Sequence, residues 1–178
     1  MTTYVYIATS IDGFIATEDG GIKWLYDIPN PDQSDYGYAD FVSNIDCHVM
    51  GRKTFEKVLT FDSWGYEKPV FVLSNSLIQV PKKYNNKVKI MSGSPTTIIR
   101  KLAEQGYQNI YIDGGKVIQH FLRDDAVDEM IISKIPIVLG SGIRLFESTS
   151  QSLKFKHRAT EVYNGEIVKS HYVRANQS

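Results

Sequence analysis

Three short stretches combine glycine, hydroxyl and basic residues where a strand should give way to a helix. They are Met50-Gly51-Arg52-Lys53-Thr54, Leu73-Ser74-Asn75-Ser76 and Asp113-Gly114-Gly115-Lys116. A helix N-terminus offers unpaired N–H groups and the positive end of its dipole, which together suit phosphate. Paired glycines let the backbone approach an anion closely. Arg52 and Lys53 add charge to the first stretch, and Ser74 and Ser76 add hydroxyl donors to the second. Such junctions on neighbouring strands suit a ligand with several phosphates, such as a dinucleotide. Each stretch alone has a plainer reading, as a Gly-Gly turn or a pair of solvated cations. Neither G-x-G-x-x-G nor G-x-x-x-x-G-K-[ST] occurs. The ordinary dinucleotide fingerprint is therefore absent and a P-loop hydrolase is disfavoured. His48, His120, His157 and His171 are scattered without metal-ligand spacing, so no metal is expected.

These stretches need a scaffold that alternates strand with helix. Tyr4 to Ala8 is a β-rich run entering a turn at Asp12-Gly13, and Phe14-Ile15-Ala16 is a second short extended piece before Asp19-Gly20-Gly21. Pro29 and Pro31 forbid regular structure in the loop that follows. Ser34 or Asp35 is placed to cap a helix running to about Ile45, with Tyr38, Phe41, Val42 and Ile45 on one face. Strands at Cys47–Met50, Pro69–Leu73, Val88–Met91 and Ile110–Ile112 then alternate with helices carrying Phe55 and Val58, Ile98 and Leu102, and Val117, Ile118, Phe121 and Leu122. From Val127 the pattern changes to strands alone, Glu129–Ile135, Leu153–Tyr163 and Ile167–Val173, with Asn164-Gly165 as a hairpin turn. The sum is a mixed α/β fold with a mostly parallel central sheet, helices on both faces and an antiparallel C-terminal hairpin. Ligands of such sheets bind beyond the carboxyl ends of the parallel strands, where the three stretches fall.

The 178 residues fit one domain over 1–178. The charge is balanced, with 20 basic and 20 acidic residues, so no basic field exists to hold nucleic acid or an anionic membrane. Cys47 is the single cysteine, which excludes an internal disulfide and favours a reducing compartment. It lies in the run Asp46-Cys47-His48-Val49-Met50 and reads as a buried thiol rather than a nucleophile. The start Met1-Thr2-Thr3-Tyr4 lacks the basic and long apolar segments of a signal peptide. With no apolar run near the ~18 residues of a membrane span, the cytoplasm is the default. The polar end from Ala175 to Ser178 reads as frayed.

Four segments stand in a telling order. They are Ala8-Thr9-Ser10-Ile11-Asp12-Gly13-Phe14-Ile15-Ala16, Val49-Met50-Gly51-Arg52-Lys53-Thr54-Phe55-Glu56, Asp113-Gly114-Gly115, and Pro136 to Phe146 with the pattern P-x-x-L-G-x-G-x-x-L-F. From Tyr4 to Tyr172 this set resembles the dihydrofolate reductase superfamily. Within it the chain resembles stand-alone relatives of the riboflavin-biosynthesis reductase, the RibD C-terminal domain. The resemblance implies NADPH across the C-terminal edge of the sheet. Ala8, Ile15 and Ala16 would line the nicotinamide. Gly51, Arg52, Lys53, Thr54, Gly114, Gly115, Lys116 and Val117 would hold phosphates, with Asp113 in the same motif. Ser74, Asn75 and Ser76 lie where the family reads the adenosine 2′-phosphate, which favours NADPH over NADH. Trp24 resembles the loop tryptophan beside the substrate. Asp35 falls where relatives keep a substrate-binding carboxylate, and Ser133 matches its hydroxyl partner.

A carboxylate in a mostly apolar pocket has a raised pKa and can supply a proton as hydride arrives. The other role open to Asp35 is helix capping. Ten residues separate it from Trp24, longer than the family's gap, and Asp27 competes for the carboxylate role. Tyr36 or Tyr38 is suited to stack on a planar ring, or else Tyr38 is core and Tyr36 surface. Three readings follow: reduction of a ribosylamino-pyrimidine, reduction of dihydrofolate, or NADPH binding without catalysis. The first has the Pro136–Phe146 segment in its favour. It lacks an accompanying H-x-E and P-C-x-x-C deaminase motif, and its substrate phosphate needs a cation, with Lys134 and Arg144 as candidates. A homodimer through Val162, Tyr163, Ile167, Val168, Tyr172 and Val173 is the other expectation, unless these residues fill the chain's own core.

Overall fold

The computed structural model describes residues 1–149 and 151–175, so the tail beyond Ala175 lies outside the described residues. Strand β1 (Thr2–Thr9) is followed by the short β2 (Phe14–Ala16), helix α1 (Tyr38–Ser43), β3 (Cys47–Gly51), α2 (Arg52–Val58), β4 (Val70–Leu73) and β5 (Val88–Met91). Helix α3 (Pro95–Glu104), β6 (Asn109–Asp113), α4 (Gly115–Arg123), β7 (Glu129–Lys134), β8 (Ile143–Arg144), β9 (Phe155–Tyr163) and β10 (Ile167–Arg174) complete the order. Eight strands form one sheet in the spatial order β5-β4-β3-β6-β1-β7-β10-β9, and β2 pairs with β8 in a small second sheet. The first six strands of that order are parallel, β7 included; β10 alone runs opposite to them, pairing antiparallel with both β7 and β9. Among the described residues no helix is long and apolar enough to cross a membrane.

Strand alternation sorts the side chains into two layers. Val5, Cys47, Val49, Ile110 and Ile112 point to the face covered by Ile98 and Leu102 of α3 and by Val117, Ile118, Phe121 and Leu122 of α4. Burial raises the Cys47 thiol to about 12, which fits its place in this core. The opposite face carries an aromatic layer. Phe41 of α1 packs on Tyr4, Tyr6 and Tyr111, and Tyr38 packs edge-on to Tyr6. Further along that face Met50, Val70, Val72 and Val88 form a separate apolar cluster with Phe55 of α2.

Several boundaries differ from expectation, most by a residue or two. Helix α1 does not begin at Ser34 or Asp35, because Tyr36 (φ +56°) and Gly37 (φ +81°) form a left-handed turn that a helix cannot contain. Strand β9 begins at Phe155 rather than Leu153. The hairpin turn has both Asn164 (φ +52°) and Gly165 (φ +70°) left-handed, as a tight two-residue connection requires. Of the residues considered for a dimer surface, Ile167 is buried with Trp24 and Ile135 in the chain's own core, whereas Val162 and Val168 are exposed.

Candidate functional site

The three glycine- and serine-bearing stretches converge. Gly51 is in register with Leu73, and Met50 with Asp113, so β4, β3 and β6 deliver their following loops side by side. Helices α2 and α4 start immediately after β3 and β6, and no side chain caps either first turn. Their leading N–H groups are left to a ligand or to water. A Cβ added at Gly114, where φ is +88°, would collide with Thr54 Oγ1. One at Gly115 would lie 2.8 Å from Ile15 Cδ1, and one at Gly51 would lie 3.1 Å from Val117 Cγ2. Gly51, Thr54, Gly114, Gly115, Val117 and Ile15 therefore share one cradle whose floor is backbone. The uncapped starts of α2 and α4 meet at this cradle, and converging N–H groups of that kind fit a diphosphate-bearing group.

The charged side chains around the cradle are loosely committed. Arg52 pairs with Glu56 at 3.3 Å and Lys116 with Glu147 at 2.8 Å, both on the surface, where such pairs contribute little and exchange readily. Lys53 is exposed. The Ser74 hydroxyl accepts from the Ser76 and Leu77 N–H groups and so shapes its turn, leaving Asn75 and Ser76 exposed at the tip.

On the aromatic face, Ala8, Ser133 and Lys169 lie abreast on β1, β7 and β10. Ser133 is buried, and Trp24, in a single helical turn at Lys23–Leu25, packs against Ile135 and Ile167 with Ala8 beside them. The Trp24 Nε1 is buried and has no hydrogen-bond partner among the described residues. The Tyr36 ring meets Tyr163 edge-on at 5.3 Å, and its carbonyl accepts from the Tyr6 hydroxyl and the Lys169 ammonium, each at 2.9 Å. Its ring is thus committed to packing rather than free as a stacking platform.

The carboxylates differ most from expectation. Asp35 is exposed, and its oxygens accept from Gly37 N–H (2.9 Å) and Ala39 N–H (2.8 Å). Those backbone bonds lower its pKa, where a pocket acid was expected to have it raised. The geometry is that of a cap, displaced from the helix by the Tyr36-Gly37 turn. Asp27 is also exposed. Asp113, by contrast, has a raised pKa, which burial pushes up to about 6. Burial first, and then the Asp113 charge, raises the Tyr38 phenol to about 12 and raises Tyr66 and Tyr111 as well. Neither expected phosphate clamp faces Ser133. The Arg144 guanidinium lies over the Phe14 ring at 4.6 Å, and Lys134 follows Ser133 on the strand and so projects from the other face.

Three residues of this face gave no signal in the sequence as members of a site. His48 is buried, with both ring nitrogens unpartnered among the described residues and its ring 4.9 Å from Tyr66 and 5.2 Å from Tyr111. Lys169 is largely buried, its ammonium donating to the Tyr163 hydroxyl at 2.7 Å. Strand alternation alone could have put Lys169 beside Ser133, given the hairpin register. Tyr66 sits in an irregular loop, and nothing local ties it to β3 or β6.

This architecture is a dihydrofolate reductase-like fold. The chain superposes on dihydrofolate reductase from Enterococcus faecalis, complexed with NADP(H) and RAB-propyl, with a TM-score of 0.69 at 17% identity, over 98% of this chain and 97% of that one. Residues 2–169 match the RibD C-terminal domain, and the chain belongs to that family. It is 38% identical over 177 residues to the uncharacterised protein YwjB of Bacillus subtilis (strain 168), covering 97% of this chain and 98% of YwjB. A crystal structure from Shewanella sp. PV-4, of a protein provisionally assigned to riboflavin biosynthesis, is similar with a TM-score of 0.96 and 43% identity, covering 99% of this chain and 100% of that one.

Proposed function

We propose that the chain is an NADPH-dependent reductase of a small nitrogen heterocycle, a ribosylaminouracil phosphate or a similar pyrimidine. The observation that carries this reading is Asp113: a half-buried carboxyl with its pKa pushed up to about 6, among phenols, one residue before the glycine cradle. Bound NADPH would supply a hydride, and reduction then requires a proton. Asp113 can hold that proton near neutral pH at the boundary between cradle and aromatic face. The leading N–H groups of α2 and α4 would take the diphosphate, with Arg52, Lys53 and Lys116 turning toward it from the surface. Ser74, Asn75 and Ser76 would meet the 2′-phosphate. Ala8, Ile15 and Ala16 would wall the nicotinamide, and Trp24 and Ser133 would contact substrate. The pyrimidine reading is favoured over dihydrofolate by the family match and by the exposed capping position of Asp35. A second copy would pair through the exposed Val162 and Val168, which light scattering tests directly.

The test follows NADPH oxidation by its absorbance with the ribosylaminouracil phosphate and, separately, with dihydrofolate. Turnover of the first and not the second is expected. Tight NADPH binding with turnover of neither would leave a binding protein, and equal affinity for NADH would remove the role given to Ser74-Asn75-Ser76.

A further inference from the structure

One side chain fastens the turn between β1 and β2 to the distant 136–146 segment. The Asp12 carboxylate accepts from the Ser10 hydroxyl at 2.6 Å and the Leu139 N–H at 3.1 Å on one oxygen, and from the Gly140 N–H at 2.8 Å on the other. These bonds hold its pKa down at about 2, so the latch is ionised at any pH the fold meets. Asp12 itself is only half-buried, so it contributes direction rather than apolar burial.

The latch is the end of a longer frame. Ile11 N–H donates to the Ile137 carbonyl at 2.8 Å, and Leu145 N–H donates to the Gly13 carbonyl at 3.0 Å. Phe14 N–H donates to the Ser10 hydroxyl at 2.9 Å, so Ser10 links Asp12 to the first residue of β2. Strand β2 then pairs with β8, and Gly142 (φ +146°) comes so close to the Ala16 carbonyl that no side chain fits there. Gln119 of α4 donates to the Arg144 carbonyl at 2.7 Å. Ile15, in the middle of β2, lies directly over Gly115 of the cradle. Two hydrogen bonds, Ser10 to Asp12 and Phe14 to Ser10, thus connect Asp12 to the strand that borders the cradle.

We propose that Asp12 is a positioning residue which, by holding Leu139 and Gly140, fixes Ile15 and Ala16 as the wall for the nicotinamide half of the dinucleotide. The inference rests on the cofactor reading above. Asp12 touches no cofactor atom in this role. The adenosine half, which would lie on the α2 and Ser74 junctions, should not sense its loss.

The experiment titrates the full-length protein, wild type, Asp12→Ala and Asp12→Asn, with NADPH and with adenosine 2′,5′-bisphosphate, which lacks the nicotinamide. Asp12→Ala should weaken NADPH binding by about tenfold or more, the loss of charge-assisted bonds. Binding of the bisphosphate should stay within about twofold. Asp12→Asn, which keeps one acceptor, should fall between. Amide exchange should speed up at Phe14, Leu139 and Gly140 and stay unchanged in β3 and β6. Unchanged NADPH affinity in Asp12→Ala overturns the proposal, as does an equal loss for both probes, which would mark general destabilisation. If the wild type binds neither probe, the cofactor reading is what fails; unchanged exchange at the three amides would then also remove the latch.

Discussion

The glycine cradle proposed for the cofactor and the aromatic face proposed for the substrate are built by different means. On the first, backbone makes the site: uncapped helix starts, glycines with no room for a Cβ, and strand ends held in register. Parallel strands deliver their following loops to one edge, so the pieces meet wherever the order of strands allows. On the second, side chains make the site, from β1, the Trp24 turn, α1, β6, β7 and β10. Their meeting depends on a layer of aromatic packing rather than on any repeated local pattern. A backbone-built site is robust to most substitutions and fails at its glycines. A side-chain-built site fails one residue at a time.

Asp113 belongs to both sides, and changing it tests the comparison hardest. Asp113→Asn should reduce pyrimidine turnover by about 10²-fold or more while NADPH binding persists. On the proposed role the protonated form is the active one, so the wild-type rate should fall as pH rises through about 6. Steady-state pH profiles of both proteins check this, and the variant's should be flat in that range.

His48 tests whether the aromatic face depends on buried polar groups. Burial lowers its pKa from 6.5 to about 4, so the unfolded imidazole takes up a proton that the folded one refuses. The stabilisation is complete above pH 6.5 and is lost as pH falls toward 4, by roughly 3 kcal/mol. His48→Phe should abolish that acid lability, measured as urea midpoints at pH 7 and near the lower end.

Gly114→Ala probes the backbone side. With φ at +88° and Thr54 Oγ1 in the way, it should destabilise the fold by about 2 kcal/mol and weaken NADPH binding. Urea unfolding and the NADPH titration measure the two effects separately. The smallest change is expected at Asp35→Ala. Losing its bonds to Gly37 and Ala39 should lower the unfolding midpoint slightly and leave kcat unchanged. A large loss of kcat there would return the acid role to Asp35 and dissolve the distinction drawn for Asp113.

Much of the fold was legible because its signals are local. Apolar runs such as Val70–Leu73 mark buried strands, and Asn164-Gly165 marks a hairpin. The three junctions were legible for the same reason. Asp35 was legible only as a residue with two possible roles, because a cap and a pocket acid have the same sequence signature. The choice came from the backbone at Tyr36-Gly37, whose left-handed turn aims the Asp35 carboxylate at the Gly37 and Ala39 N–H groups.

The sequence by itself determined the alternation of strand and helix, the buried thiol at Cys47, and the glycines that make a cradle possible. Those follow from steric and solvation preferences of residues close in the chain. Tertiary structure alone decided which carboxyl is desolvated, that Lys169 and not Lys134 shares a face with Ser133, and that Asp12 reaches Leu139 and Gly140. Such properties depend on the field and the donors around a group. In this chain those neighbours arrive from strands far apart in sequence, brought together only when the sheet forms.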